Sequence, residues 1–212
     1  DEISKRVEEM VDVVDLGDKA SRKARGLTAD EKQKISLGRG LVRYDVNAIL
    51  FDEPLTVIDP HMKWQLRTKL KELHRQFNHT MIYVTHDQTE ALTFADKVVV
   101  MFDGRVVQMG TPQQLFETPE HTFVGYFIGS PGMNVLEAKV SGDKAVIAGT
   151  EISLGQGFGT PTGKVELGVR PEFVTLQSGD EGLPVTIKRV EDVGRHKIVS
   201  ADLQGIHINI MA

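Results

Sequence analysis

The chain has 212 residues, no cysteine, and 25 Lys+Arg against 30 Asp+Glu, for a formal net charge of −5. With 40% apolar and 26% charged residues it has the makeup of a globular protein of one large or two small domains, and its acidic balance argues against a coat for nucleic acid. Zero cysteine excludes a disulfide framework, thiolate-held zinc and a cysteine nucleophile; the lack of a roughly 20-residue apolar run or a signal-peptide pattern leads us to expect a cytosolic setting, with any membrane attachment made through a partner.

Residues 2–16 place Ile3, Val7, Met10, Val11 and Val14 at helical spacing. A loop over 18–26 carries Arg22, Lys23 and Arg25, a cluster best read as a solvated face. A second helix is expected over 27–43. The short apolar run 47–51 leads into Asp52 and Glu53, the pattern of a buried parallel strand with carboxylates at its C-terminal end. Residues 60–77 put Met62, Leu66, Leu70, Leu73 and Phe77 on one stripe of an amphipathic helix. Residues 81–84 read as a further buried strand ending at Thr85-His86, and Asp87 with Glu90 fits a capping box opening a helix through Phe94. Residues 98–102 and 105–109 flank Asp103-Gly104, a two-residue type I′ hairpin turn. Thr111-Pro112 starts another helix. Such alternation predicts an α/β fold with a mostly parallel sheet.

The texture changes near Gly129-Ser130-Pro131-Gly132, and we expect a domain boundary at about residue 132. Beyond it, strand-like runs at 135–140, 145–147, 164–169, 173–176, 185–190, 197–201 and 206–210 predict a small all-β barrel or sandwich. Gly155, Gly157 and Gly159 miss the dinucleotide fingerprint, because Thr160 and Thr162 stand where a further glycine is needed.

Two carboxylates at the end of a parallel strand lie at the sheet edge where α/β ligands bind. One can hold Mg2+ through water while the next polarises an attacking water; the same pair would equally serve to cap the helix that follows. His86 ends what should be a neighbouring strand, suiting a phosphate contact or a water-orienting role, or simply a histidine satisfied by a backbone carbonyl. His61, His74, His79, His121, His196 and His207 have no metal-site spacing.

Asp52-Glu53 after an apolar strand, then 55–59 (Leu-Thr-Val-Ile-Asp), then 85–91 (Thr-His-Asp-Gln-Thr-Glu-Ala) resemble in order the Walker B strand, D-loop and H-loop of ABC transporter ATP-binding subunits. The closest resemblance is to the sugar and polyol importer branch, of the maltose-importer ATPase type. Segments 110–116, 130–134 and 167–172 resemble its connecting and C-terminal regions. The resemblance implies a partial P-loop NTPase (RecA-like) ABC domain over 1–132 and an OB-like β domain, expected to be incomplete, over 133–212. It implies ATP and Mg2+ as cofactors, Asp52 toward the metal, Glu53 as general base, His86 at the γ-phosphate, and Asp59 signalling across an ATPase dimer. It further implies a second ATPase subunit, membrane permease subunits and, indirectly, a periplasmic or extracellular solute-binding protein, with the chain on the inner face of the cell membrane and no nucleic acid bound.

Two departures stand out. No G-x-x-x-x-G-K-[ST] occurs; the only Gly-Lys pair, Gly163-Lys164, is followed by Val165 and lies behind Phe158. We therefore expect a fragment that binds ATP poorly and is inactive alone. The family's signature Leu-Ser-Gly-Gly-Gln falls on Leu27, Thr28, Ala29, Asp30 and Glu31, where side chains and negative charge replace glycines meant to approach the opposite subunit's phosphate. Thr28 and Glu31 also spell a capping box, which would satisfy that helix end internally. Import energised by ATP hydrolysis is the first reading, with sugar, polyol or polyol phosphate as cargo. A regulatory subunit that acts through its β domain is the alternative.

Overall fold

The computed structural model describes residues 2–43, 45–155, 157, 159–161, 163–179 and 182–212, and the backbone alone of Phe77, so that residue's place on the predicted stripe lies outside the described side chains. Two compact units, residues 1–96 and 97–212, make up the chain.

The first unit holds α1 (Glu2–Val13), α2 (Ala29–Leu41), β1 (Ala48–Asp52), α3 (Pro60–Phe77), β2 (Thr80–Val84) and α4 (Gln88–Phe94). Two short 3-10 turns, Gly17–Lys19 and Ala24–Gly26, overlap the expected loop over 18–26. β1 and β2 run parallel, in register from Ala48 opposite Thr80 to Asp52 opposite Val84, so their C-terminal ends finish level. Ile49 and Phe51 pack into one core with Met10, Leu37, Leu41, Leu66 and Leu70. Each such side chain contributes about 1.5–3 kcal/mol on burial.

The two strands are not buried on both faces, as their apolar runs suggested. Burial alternates along each, leaving Leu50 72% exposed and Ile82 and Val84 about half exposed. An apolar run reports what a strand tolerates on each face; the side-chain period of two decides which face the helices cover. Asp59 caps α3, its Oδ1 accepting the His61 amide at 2.9 Å with Pro60 in the first turn, and Asn78 closes the helix in the left-handed region.

The second unit opens with the hairpin β3 (Val98–Phe102) and β4 (Arg105–Gly110), whose turn residues Asp103 and Gly104 both have positive φ, as a type I′ turn requires. α5 (Pro112–Glu117) starts at a capping box between Thr111 and Gln114, and α6 (Thr122–Phe127) follows. The rest is β: β5 (Asn134–Ser141), β6 (Lys144–Ile147), β7 (Thr150–Ser153) and β8 (Val165–Val169) form an antiparallel sheet in the order β7-β6-β5-β8. β9 (Thr186–Asp192), β10 (Lys197–Leu203) and β11 (Ile206–Met211) form a second antiparallel sheet in the order β11-β10-β9.

Leu136, Ala138 and Ile147 of one sheet and Val199, Leu203 and Ile210 of the other share a core. Asn134 joins the sheets by a paired contact, its Nδ2 donating to Asn209 O and its Oδ1 accepting from Asn209 N, both at 2.8 Å. The strand expected over 173–176 is absent: Pro171 opens a 3-10 turn, Pro171–Phe173, held by Phe173 N donating to Arg170 O.

Arg170 is buried, and among the described residues it makes no ion pair. Its guanidinium donates to the carbonyls of Phe116, Gly125, Ile128 and Leu115 and lies 3.9 Å over the Phe116 ring, so β8 is tied to α5 and α6. Burial lowers its pKa from the ordinary arginine value. Met133 fills the slot that Gly125 and Gly168 leave open; a Cβ at either glycine would stand within 2.5 Å of its side chain.

Candidate functional site

Level strand ends bring two of the predicted residues into contact. Glu53 N donates to Val84 O at 2.9 Å, extending the β1–β2 ladder by one bond. The chain then turns sharply: Glu53 has φ +48°, a left-handed conformation costly for a residue with a side chain. The turn places Glu53 Oε1 2.6 Å from His86 Nδ1. Its other oxygen, Oε2, accepts the Thr56 hydroxyl at 2.9 Å. The His86 bond, followed by the Thr56 bond, holds the Glu53 carboxyl below the ordinary glutamate range. The same bond and the carboxylate's charge raise the His86 imidazole above the usual histidine value. The contact therefore favours the ionised form of the Glu53 carboxyl and the charged form of the His86 imidazole.

Asp52, one residue earlier, lies on the open face of β1 with Leu50 and is exposed. Among the described residues no group of three His, Asp or Glu gathers into a metal cage. A single exposed carboxylate at a strand end does fit Mg2+ as it is held with nucleotides, by one or two carboxylates, several waters and the phosphates themselves.

The capping box predicted at Asp87 and Glu90 is half present. Asp87 Oδ1 accepts from Thr89 N at 2.8 Å and Glu90 N at 3.2 Å, whereas the Asp87 amide donates to Thr85 Oγ1. Glu90 turns inward instead: Oε2 accepts from Tyr83 Oη (2.9 Å) and Thr85 Oγ1 (3.0 Å), and Oε1 pairs with Lys63 Nζ at 3.3 Å. It is 3% exposed, and a buried carboxylate takes the strongest donors available. Burial, followed by the charge of Glu90, raises the Tyr83 pKa. This network fixes the segment bearing His86.

The other predicted site residues stand in structural roles. Thr28 and Glu31 make the full capping box of α2, Thr28 N donating to Glu31 Oε2 at 2.8 Å and Glu31 N to Thr28 Oγ1 at 3.2 Å. The Thr28 amide holds the Glu31 carboxyl below its ordinary range, helped by Lys19 at 3.3 Å. Asp30 pairs with the buried Lys34 at 3.5 Å, while Ala29 is the first residue of α2. Asp59 stands apart as the α3 cap.

Sequence reasoning missed Gln33, whose carboxamide bridges two points of the turn after β1, Glu53 O at 2.9 Å and Val57 N at 3.3 Å. Its signal was positional: Gln33 lies one and two turns before the buried Leu37 and Leu41, so a polar group sits on the inner stripe of α2.

Residues 129–174 match the MalK OB fold domain. Over 202 residues the chain is 41% identical to the sn-glycerol-3-phosphate import ATP-binding protein UgpC of Bordetella avium, which covers 93% of this chain and 55% of that protein. It is 40% identical over 208 residues to UgpC of Ruegeria pomeroyi, covering 97% of this chain and 57% of the relative. It is 42% identical over 198 residues to the ABC transporter ATP-binding protein y4oS of Sinorhizobium fredii, covering 91% and 53%. The chain resembles part of an import ABC ATP-binding protein. It spans about half the length of the curated relatives it matches. The helix and strand makeup of the first unit and the OB-fold match within the second agree with the fold class expected from sequence. Among the described residues no helix is long and apolar enough to cross a membrane.

Proposed function

We propose that this chain belongs to an ATP-binding and hydrolysing subunit that energises import of a sugar, polyol or polyol phosphate through an ABC permease. The observation that carries the reading is the Glu53–His86 contact at the ends of two parallel strands, with Asp52 next to it. The relatives' names, which specify import of sn-glycerol-3-phosphate, support a polyol phosphate as cargo. In this reading residues 1–132 are the C-terminal part of the ATPase domain and 133–212 the OB-like domain. A second ATPase subunit, permease subunits and, indirectly, a solute-binding protein are the partners, and the subunit sits on the cytoplasmic face of the membrane.

Asp52 would hold a hydrated Mg2+, and the ion when bound would neutralise phosphate charge. Glu53, ionised, accepts the proton of an attacking water. His86, whose contact with Glu53 Oε1 favours the imidazolium, would in that form carry a second N–H, at Nε2, as a donor for a phosphate oxygen.

The test is ATP turnover by a chimera in which this chain replaces the matching part of the Bordetella avium relative. Turnover that Glu53→Gln abolishes is the expected result. No turnover by a folded chimera, alone or with an intact ATPase subunit, overturns it. The capping box at Thr28 and Glu31 favours a second reading, a regulatory subunit that works through its β domain, because the helix end meant for another subunit's phosphate is satisfied by its own side chains.

A further inference from the structure

We propose that Gln33 is a positioning residue for Glu53, tying α2 to the turn that aims this carboxylate at His86; the proposal rests on the reading of Glu53 as general base. Both halves of the carboxamide are used in the one arrangement chemistry allows, Nε2 donating to Glu53 O at 2.9 Å and Oε1 accepting from Val57 N at 3.3 Å. The Glu53 carbonyl also accepts from Thr56 Oγ1 at 3.1 Å and Thr56 N at 3.4 Å, so three donors converge on one oxygen. That convergence holds the left-handed φ at Glu53, a strained state that persists only where its surroundings over-determine it.

Below the turn, Leu55 and Ile58 are buried in the core and fix its base. Above it, Gln33 is the link to α2, five residues from the Thr28 cap. A displacement of the α2 N-terminus is thereby passed to the peptide that orients the catalytic carboxylate. Thr56 acts from within the turn and holds Glu53 to itself; Gln33 holds it to another element.

The experiment uses the 212-residue chain without nucleotide and reads the 15N shift of His86 Nδ1 at fixed pH, together with amide exchange at Val57. In Gln33→Met the His86 signal moves toward that of a free imidazole and Val57 exchanges at least tenfold faster. Gln33→Glu differs by one atom group: it still accepts from Val57 N, faces Glu53 O with a carboxylate, and moves the His86 signal while leaving Val57 protected. A His86 signal unmoved in both variants, with Val57 exchange accelerated in Gln33→Met, overturns the positioning role and makes Gln33 a loop fastener only. The readout needs no ATP, so this failure leaves the nucleotide reading standing, whereas a chimera without turnover overturns the general-base role and leaves only the tie between Gln33 and the Glu53 turn.

Discussion

Glu53 Oε1 and His86 Nδ1 meet at 2.6 Å from the ends of two strands whose residues pair one for one. Thirty-three positions separate them in sequence, and the parallel register with the turn at Glu53 closes the gap. The pair is exposed, the His86 side chain by 75%, so its contribution is screened by solvent and sensitive to salt.

Its pH dependence has a definite sign. The His86 pKa is raised, so the stabilisation it brings is present in full below 6.5 and lost as pH rises through the higher folded value. The Glu53 pKa is lowered, so its share is present above 4.5 and lost as pH falls through the lower folded value. The contact is strongest between those limits. In Glu53→Gln the His86 midpoint returns toward the ordinary value of 6.5, read by histidine NMR titration; an unchanged midpoint would show that the two side chains do not meet in solution.

Glu90 carries a prediction of stability. Replacing it with Leu leaves the Tyr83 and Thr85 hydroxyls and the Lys63 ammonium without their acceptor in a partly buried place. The expected cost is about 3 kcal/mol, with Glu90→Gln well below that because an amide oxygen still accepts. Urea unfolding of the chain measures both. The His86 contact with Glu53 weakens in Glu90→Leu, since Thr85 loses the partner that holds the β2 end.

Parts of the fold, and the place of the carboxylates at a strand end, were legible because their signals are local. Asp52-Glu53 after an apolar run, the Asp103-Gly104 turn and the Thr111-Pro112 helix start each depend on neighbours within a few residues. Gln33 and Glu90 were not legible in their roles, because their partners lie on other elements: Glu53 and Val57 for one, Tyr83 and Lys63 for the other. The capping-box reading of Glu90 failed for this reason, since two partly buried hydroxyls and an ammonium outbid a single backbone amide. The openness of one β1–β2 face, with Leu50 and Ile82 exposed, was equally hidden, because an apolar run does not say whether a second layer covers it.

The α2 start yields a trade between stability and turnover. Thr28→Ala removes one side of the capping box and costs the helix about 1 kcal/mol, measured by thermal unfolding. Restoring the family signature by Ala29→Gly, Asp30→Gly and Glu31→Gln also lowers stability: it adds two glycines to the first turn and breaks the Asp30–Lys34 and Lys19–Glu31 pairs. In the chimera the same triple substitution is expected to raise ATP turnover at least tenfold, because in the proposed reading carboxylates then leave a face that meets phosphate. Equal turnover before and after would show that these residues are a tolerated variant of the signature.

Arg170 offers the sharpest test of the second unit. Four carbonyls from α5, α6 and the residue after α6 converge on one guanidinium, which also stacks on Phe116. Arg170→Met preserves length and apolar contact but takes the donor from those carbonyls in a buried site, though Gly125 O keeps the Met133 amide at 3.1 Å, at an expected cost of about 3 kcal/mol. Arg170→Lys keeps the charge, yet an ammonium is a point donor that cannot span carbonyls spread around a planar fork, so it rescues less than half of that loss. The comparison separates geometry from charge: if Lys restored full stability in urea, the charge alone would hold these helices to β8, and the planar fork would be incidental.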